Sequence, residues 1–167
     1  MYERQVEFKQ EMTSQCLKEA GLEIQLEQPI HARDPFSYRN KMEFSFNQSE
    51  NGRVDLGLHS PGRFDRIFDL ESCHLQSEIS NQIVRMVRDW VREKGLQAYH
   101  LYRHTGLLRF LTLREGKRTG EVMVVLTTSG EEFPDASALG HKIFSSFPEV
   151  KSVVRSINRR KAQIAIG

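Results

Sequence analysis

Four successive side chains, Tyr38, Arg39, Asn40 and Lys41, offer a stacking ring, a planar guanidinium fork, an amide and a point charge. Those groups suit contacts to phosphates and unpaired bases. Arg63, in the turn Pro61-Gly62-Arg63, is a loop-borne cation able to reach the same kind of substrate. Arg155 and Arg159 lie in the closing stretch, where Lys151, Arg160 and Lys161 add charge and no acid intervenes. His100 and His104 form an H-x-x-x-H pair suited to zinc if it lay on a helix, but the sequence offers no evident third ligand. The bland alternative is two polar surface histidines. Each arginine is likewise an ordinary solvated cation if taken alone. Of the two cysteines, Cys73 stands at a strand-to-helix junction, and Cys16 falls within an apolar helix stripe, where a buried inert thiol is expected. Gly-rich phosphate loops in the required context, nucleophile elbows, CxxC pairs and HExxH are absent, so no self-contained active site is visible.

The elements that must position these groups follow from periodicity. Residues 2–20 read as a helix, with Phe8, Met12, Cys16 and Ala20 at i+4 spacing and Gly21 as a stop. Residues 41–46 alternate, with Met42, Phe44 and Phe46 on one face and Arg39, Lys41, Glu43 and Ser45 on the other. A turn at 47–52 leads to a second alternating run through Val54, Leu56 and Leu58. A third strand, 63–70, alternates with Phe64, Phe68 and Leu70 on one face. Residues 77–94 form the clearest helix, capped by Ser77, ended by Gly95 and apolar along Ile79, Ile83, Val84, Met86, Val87, Trp90 and Val91. Two strands, 107–114 and 121–128, follow. Val122 to Leu126 is apolar on both faces and so belongs at the sheet centre. Arg109 and Arg114 fall on opposite faces of the first, so at most one of them shares a surface with Arg39. Asp135 caps a helix carrying Leu139, Ile143 and Phe147, and strands at 150–157 and 163–166 close the chain. The expected fold is α+β, a largely antiparallel mixed sheet with helices packed on it.

With 167 residues, 38% of them hydrophobic, the chain suits one domain with a sizeable core. No stretch approaches the ~20 apolar residues of a membrane span, no secretory leader opens the sequence, and two cysteines make no disulfide framework. A cytoplasmic setting is the expectation. The net charge of +2 conceals an asymmetry: residues 1–96 hold 13 Lys/Arg against 16 Asp/Glu, and residues 97–167 hold 11 against 6. The basic second part attracts polyanions, of which nucleic acid is the commonest in that setting. The chain stops directly after a strand, as expected of a piece of a longer polypeptide.

Taken in order, Tyr38-Arg-Asn-Lys-Met-Glu-Phe44, Leu56-Gly-Leu-His59, Asp69-Leu-Glu-Ser-Cys73, Leu113-Arg-Glu-Gly116, Thr119-Gly-Glu-Val-Met-Val124 and Ser152-Val-Val-Arg-Ser-Ile-Asn158 resemble the central domain of RNA uracil-5-methyltransferases. The resemblance spans nearly the whole chain. It implies an S-adenosylmethionine-dependent parent enzyme that makes 5-methyluridine in 23S ribosomal RNA, or in transfer RNA. It also implies that residues 1–167 are one domain between an RNA-binding barrel with three clustered cysteines and a Rossmann-type catalytic domain. The methyl-transfer residues belong to that catalytic domain, so none is assigned here and this piece alone is expected to be inactive. RNA contacts fall to Tyr38, Arg39, Lys41 and Arg63, with Arg155 and Arg159 as weaker choices. Cys73 matches the fourth ligand of the 4Fe–4S cluster of the iron–sulfur members and is expected to be a free thiol in this chain alone. Its presence favours the ribosomal branch. The rival readings are a stand-alone RNA-binding or interaction module, and a small metal enzyme built on His100, His104 and Cys73.

Overall fold

A computed structural model describes residues 1–162, apart from the side chains of Phe64 and Asp65. The chain divides into two compact units, Met1–Phe36 and Ser37–Gly167. In the first, helix α1 (Tyr2–Glu19) ends at Gly21, whose φ of 73° only glycine adopts freely. The following segment is tied to α1 where the Ala32 amide donates to the Tyr2 hydroxyl at 2.8 Å. The expected apolar stripe of α1 does not form a core. Phe8 is 59% exposed, Met12 52%, Cys16 is exposed, and no residue of the helix is buried. Residues four apart drift by about 40° per step around a 3.6-residue helix, and two of the four are the small Cys16 and Ala20. Such a stripe is too narrow and too thin to drive burial.

Among the described residues the second unit is built on one six-stranded sheet. Its strands are β1 (Lys41–Gln48), β2 (Val54–Ser60), β3 (Arg63–Asp69), β4 (Leu108–Glu115), β5 (Val122–Thr128) and β6 (Val150–Ile157), in the order β3-β2-β1-β4-β5-β6. Neighbours are antiparallel except β5 and β6, which run parallel because helix α3 (Ala136–Ser146) carries the chain back between them. Helix α2 (Glu78–Glu93) connects β3 to β4. The α+β expectation therefore holds, and β5 is internal as its two-sided apolar run required. The 163–166 strand lies outside the described residues.

Strand alternation selects one sheet face for the core. Phe44, Leu56, Leu111, Leu113 and Val124 lie on it and are at most 2% exposed. They meet Ile83, Val84, Val87 and Val91 of α2, all fully buried, with Leu139 and Ile143 of α3. Each such side chain contributes about 1.5–3 kcal/mol when fully removed from water. The Ser77 hydroxyl caps α2 by accepting from the Ser80 amide at 3.2 Å. Asp135 stands at the N-cap of α3 without a side-chain cap bond; its carboxylate pairs with Lys94 at 3.6 Å instead.

Phe68 lies on the expected face of β3 but is not buried. It shares the helix-facing side with Leu58, its partner on β2, yet is 43% exposed, while Ile67 on the other side is buried. β3 is the outermost strand among the described residues, so alternation places Phe68 on the expected face without burying it, and α2 reaches β3 only at its end, where Arg92 pairs with Asp69 at 2.7 Å.

Candidate nucleic-acid interface

Sheet register decides which of the candidate cations stand together. Lys41 opens β1 directly opposite Arg114 near the end of β4, and Arg114 in turn faces Met123, which faces Ser152 of β6. On the other flank β2 ends at Ser60, paired with Arg63 at the start of β3. Strand ends and starts therefore alternate along one end of the sheet and bring Arg63, Lys41, Arg114 and Lys151 into a row. At about 4.8 Å per strand the row runs across roughly 24 Å. All four are exposed.

Tyr38 and Arg39 enter this row from the loop before β1. Tyr38 is 60% exposed, and Arg39 is exposed with its amide donating to the Leu75 carbonyl at 3.0 Å. Ser37, at φ 50°, donates from its amide to the His74 carbonyl at 2.7 Å and from its hydroxyl to the Gln76 carbonyl at 3.0 Å. These bonds lay the loop that carries Cys73 beside the Tyr38–Lys41 entry. Asn81, 4% exposed, fixes that loop from beneath: its Oδ1 accepts from the Cys73 amide at 2.9 Å, and its Nδ2 donates to the Cys73 carbonyl at 3.3 Å. Buried Arg88 holds the loop's start, donating to the Leu70 carbonyl at 3.0 Å and to Glu71 at 2.7 Å.

Arg155 and Arg159 are not part of the row. They lie toward the opposite end of the sheet, where β5 finishes. Arg155 donates to the Thr128 hydroxyl at 3.0 Å and to the Glu131 carbonyl at 2.9 Å, with its guanidinium 5.4 Å from the Phe133 ring centre. Arg159 lies against Gly130, where a Cβ would come within 2.9 Å of its Nε. Arg109, set in a β4 irregularity, is 3% exposed and donates to the carbonyls of Asn158, Arg160 and Ala162, and burial pulls its pKa below the ordinary guanidinium value. Arg109 is thus buried and engaged while Arg114 is exposed, although the register shift at Arg109 interrupts the alternation that would set them on opposite faces.

The histidine pair sits in a tight turn rather than a helix. His100 Nδ1 accepts from the Tyr102 and Arg103 amides at 3.3 Å, and His104 Nδ1 meets the Tyr99 hydroxyl at 3.1 Å. Among the described residues no group of three His, Cys, Asp or Glu could hold a metal ion. With two cysteines in all, the donor set of this chain alone does not fit a four-thiolate cluster.

Sequence reasoning missed Arg114 and Lys151 as members of the row. The signal for Arg114 was the pairing of β1 with β4, where Lys41 and Arg114 are neighbours in space but far apart along the chain.

No family model matches the chain. It is 33% identical over 168 residues, 99% of its length, to a protein of Halalkalibacterium halodurans named an uncharacterized RNA methyltransferase. Over nearly its whole length the chain is similar to part of proteins so named. A relative of the same description in Chlorobaculum tepidum is 31% identical over 183 residues, and one in Clostridium tetani 29% over 167. The chain spans only 36% of the Halalkalibacterium protein and 38% of the Chlorobaculum one. Its fold is shared with the Pyrococcus abyssi tRNA (uracil-54, C5)-methyltransferase solved with S-adenosyl-L-homocysteine, at a TM-score of 0.74 and 23% identity, covering 100% of this chain and 37% of that one. No helix among the described residues is long and apolar enough to cross a membrane.

Proposed function

We propose that this chain is the RNA-gripping central domain of an RNA (uracil-5-)-methyltransferase, a longer polypeptide that transfers a methyl group from S-adenosylmethionine to carbon-5 of a uridine. The observation that carries the reading is the exposed row Arg63, Lys41 and Arg114 with Tyr38 and Arg39 beside it, on a chain similar to part of proteins named RNA methyltransferases. Cations along a sheet end neutralise backbone phosphates, and the exposed Tyr38 ring stacks an unpaired base. The row positions the target loop for chemistry performed by a catalytic domain elsewhere in the polypeptide, so the chain alone has no turnover.

A uridine of 23S ribosomal RNA is the proposed target, because Cys73 matches a ligand of the iron–sulfur members that act there. In the longer polypeptide three further cysteines would complete a 4Fe–4S cluster with Cys73. The Asn81 bonds that fix the Cys73 backbone suit a ligand held in place before the metal arrives. The shared fold with a tRNA uracil-C5 methyltransferase supports transfer RNA as the second reading.

The test is binding of ribosomal and transfer RNA hairpins by anisotropy across a salt series. Arg39→Ala with Lys41→Ala should weaken binding and flatten its salt dependence. Equal binding by the double variant at low salt rejects the assignment. Preference for the transfer RNA hairpin selects the second reading.

A further inference from the structure

The cross-strand pair Lys41 and Arg114 puts two cations directly opposite each other on neighbouring antiparallel strands. Like charges in that position destabilise a sheet. Lys41 is partly relieved by Glu43 at 3.5 Å. Arg114 has no salt bridge and no side-chain hydrogen bond among the described residues. Beside the pair lies an open groove of about 440 Å³, lined among others by Asn40, Thr119, Glu121 and Lys151. The geometry points to this groove as a subsite for one backbone phosphate of a bound RNA strand, with Arg114 as the principal ligand. This rests on the RNA-binding reading above and extends it to Arg114, Thr119 and Glu121, which neither the motif at 38–41 nor the acid-free chain end contains.

The groove's chemistry favours an anion held by side chains. The turn residues that line the groove do not offer their amides, since those of Gly116, Thr119 and Glu121 are already bonded within the turn. Arg114 offers a free fork, Lys41 and Lys151 add point charges from either side, and Asn40 and Thr119 supply neutral polar groups. An anion between Lys41 and Arg114 removes the repulsion that the empty sheet tolerates. Of the two acids lining the groove, Glu115 is engaged by Lys117 at 2.9 Å and by the Ser80 hydroxyl at 3.3 Å. Glu121 is exposed and opposes an anion. Glu121 therefore supplies a test of opposite sign that misfolding cannot imitate.

The experiment measures anisotropy of an end-labelled, uridine-containing single-stranded RNA against this chain between about 0.05 and about 0.2 M salt. Arg114→Gln should weaken binding roughly tenfold at the low end and lower the salt slope by about one contact. Glu121→Gln should strengthen it, and Arg118→Gln, an exposed cation on the same turn, should leave it nearly unchanged. If Arg118→Gln weakens binding as much as Arg114→Gln, the effect is bulk charge and the subsite is overturned. If Arg114→Gln and Glu121→Gln are both silent while the 39/41 double variant weakens binding, the subsite fails and the RNA reading stands. If the wild-type chain binds no RNA at any salt, both fail together.

Discussion

The Arg109 guanidinium lies 4.3 Å from the centre of the Tyr99 ring while its nitrogens hold the Asn158 carbonyl at 2.9 Å and the Arg160 and Ala162 carbonyls at 2.6 Å. A planar fork is needed to reach several carbonyls at once, and the ring beneath fixes the plane. Arg109 thus sets the direction in which the chain leaves β6. Arg109→Met should destabilise the second unit by about 2 kcal/mol or more, through the loss of bonds to a charged donor. It should also speed amide exchange at Asn158 and Arg160. Unchanged exchange at those amides would remove the positioning role.

Core and surface substitutions separate the two compact units. Ile83→Ala deletes a fully buried side chain under the sheet and should cost about 2–5 kcal/mol in urea unfolding. Phe8→Ala, on the exposed stripe of α1, should change the same transition by no more than about 0.5 kcal/mol. Similar costs for the two would contradict the placement of the core.

The thiols should differ in reactivity. Cys16 is exposed and Cys73 half-buried, so a thiol reagent in excess should modify Cys16 first. Asn81→Ala removes the side chain that brackets the Cys73 backbone, costs about 1–3 kcal/mol and accelerates labelling of Cys73 several-fold. Labelling of Cys73 at an unaltered rate would show that Asn81 does not hold that loop.

Asp55 carries a pH signature. Burial, then repulsion from Asp69, raises its carboxyl above the ordinary value, against the attraction of Arg92 and Arg53. In the window between the unfolded and the raised folded value the folded chain holds the extra proton. This contribution to stability is therefore full below the unfolded value and is lost as pH rises through the folded one. Asp55→Asn should abolish that fall, read as the difference between wild-type and variant unfolding curves across mildly acidic pH. Parallel curves would show that the group does not titrate in that way.

Much of the fold could be read from periodicity. The α2 face was visible because seven apolar residues recur at helical spacing, and β5 was recognisably central because both of its faces are apolar. The α1 stripe misled because spacing was right but bulk was lacking. Phe68 sits on the face that alternation assigned, and its exposure shows that alternation reports a face and not whether anything covers it. The candidate interface was half legible: composition and motif exposed Tyr38, Arg39, Lys41 and Arg63. Arg114 joined them only through the β1–β4 register, which depends on long-range pairing. Arg155 looked like a free cation, and only the structure shows its guanidinium engaged by Thr128 and Glu131.

The central claim is that RNA is gripped at the sheet end where β1 begins and β4 finishes. The most direct measurement is amide chemical-shift mapping of the isotope-labelled chain titrated with a uridine-containing RNA hairpin. Shifts should gather at Tyr38–Lys41, Arg63, Arg114–Glu121 and Lys151–Ser152, and saturate together. Shifts gathered instead at the far end, around Tyr99–Arg109 and Arg155–Arg160, or none at any RNA concentration, would contradict it.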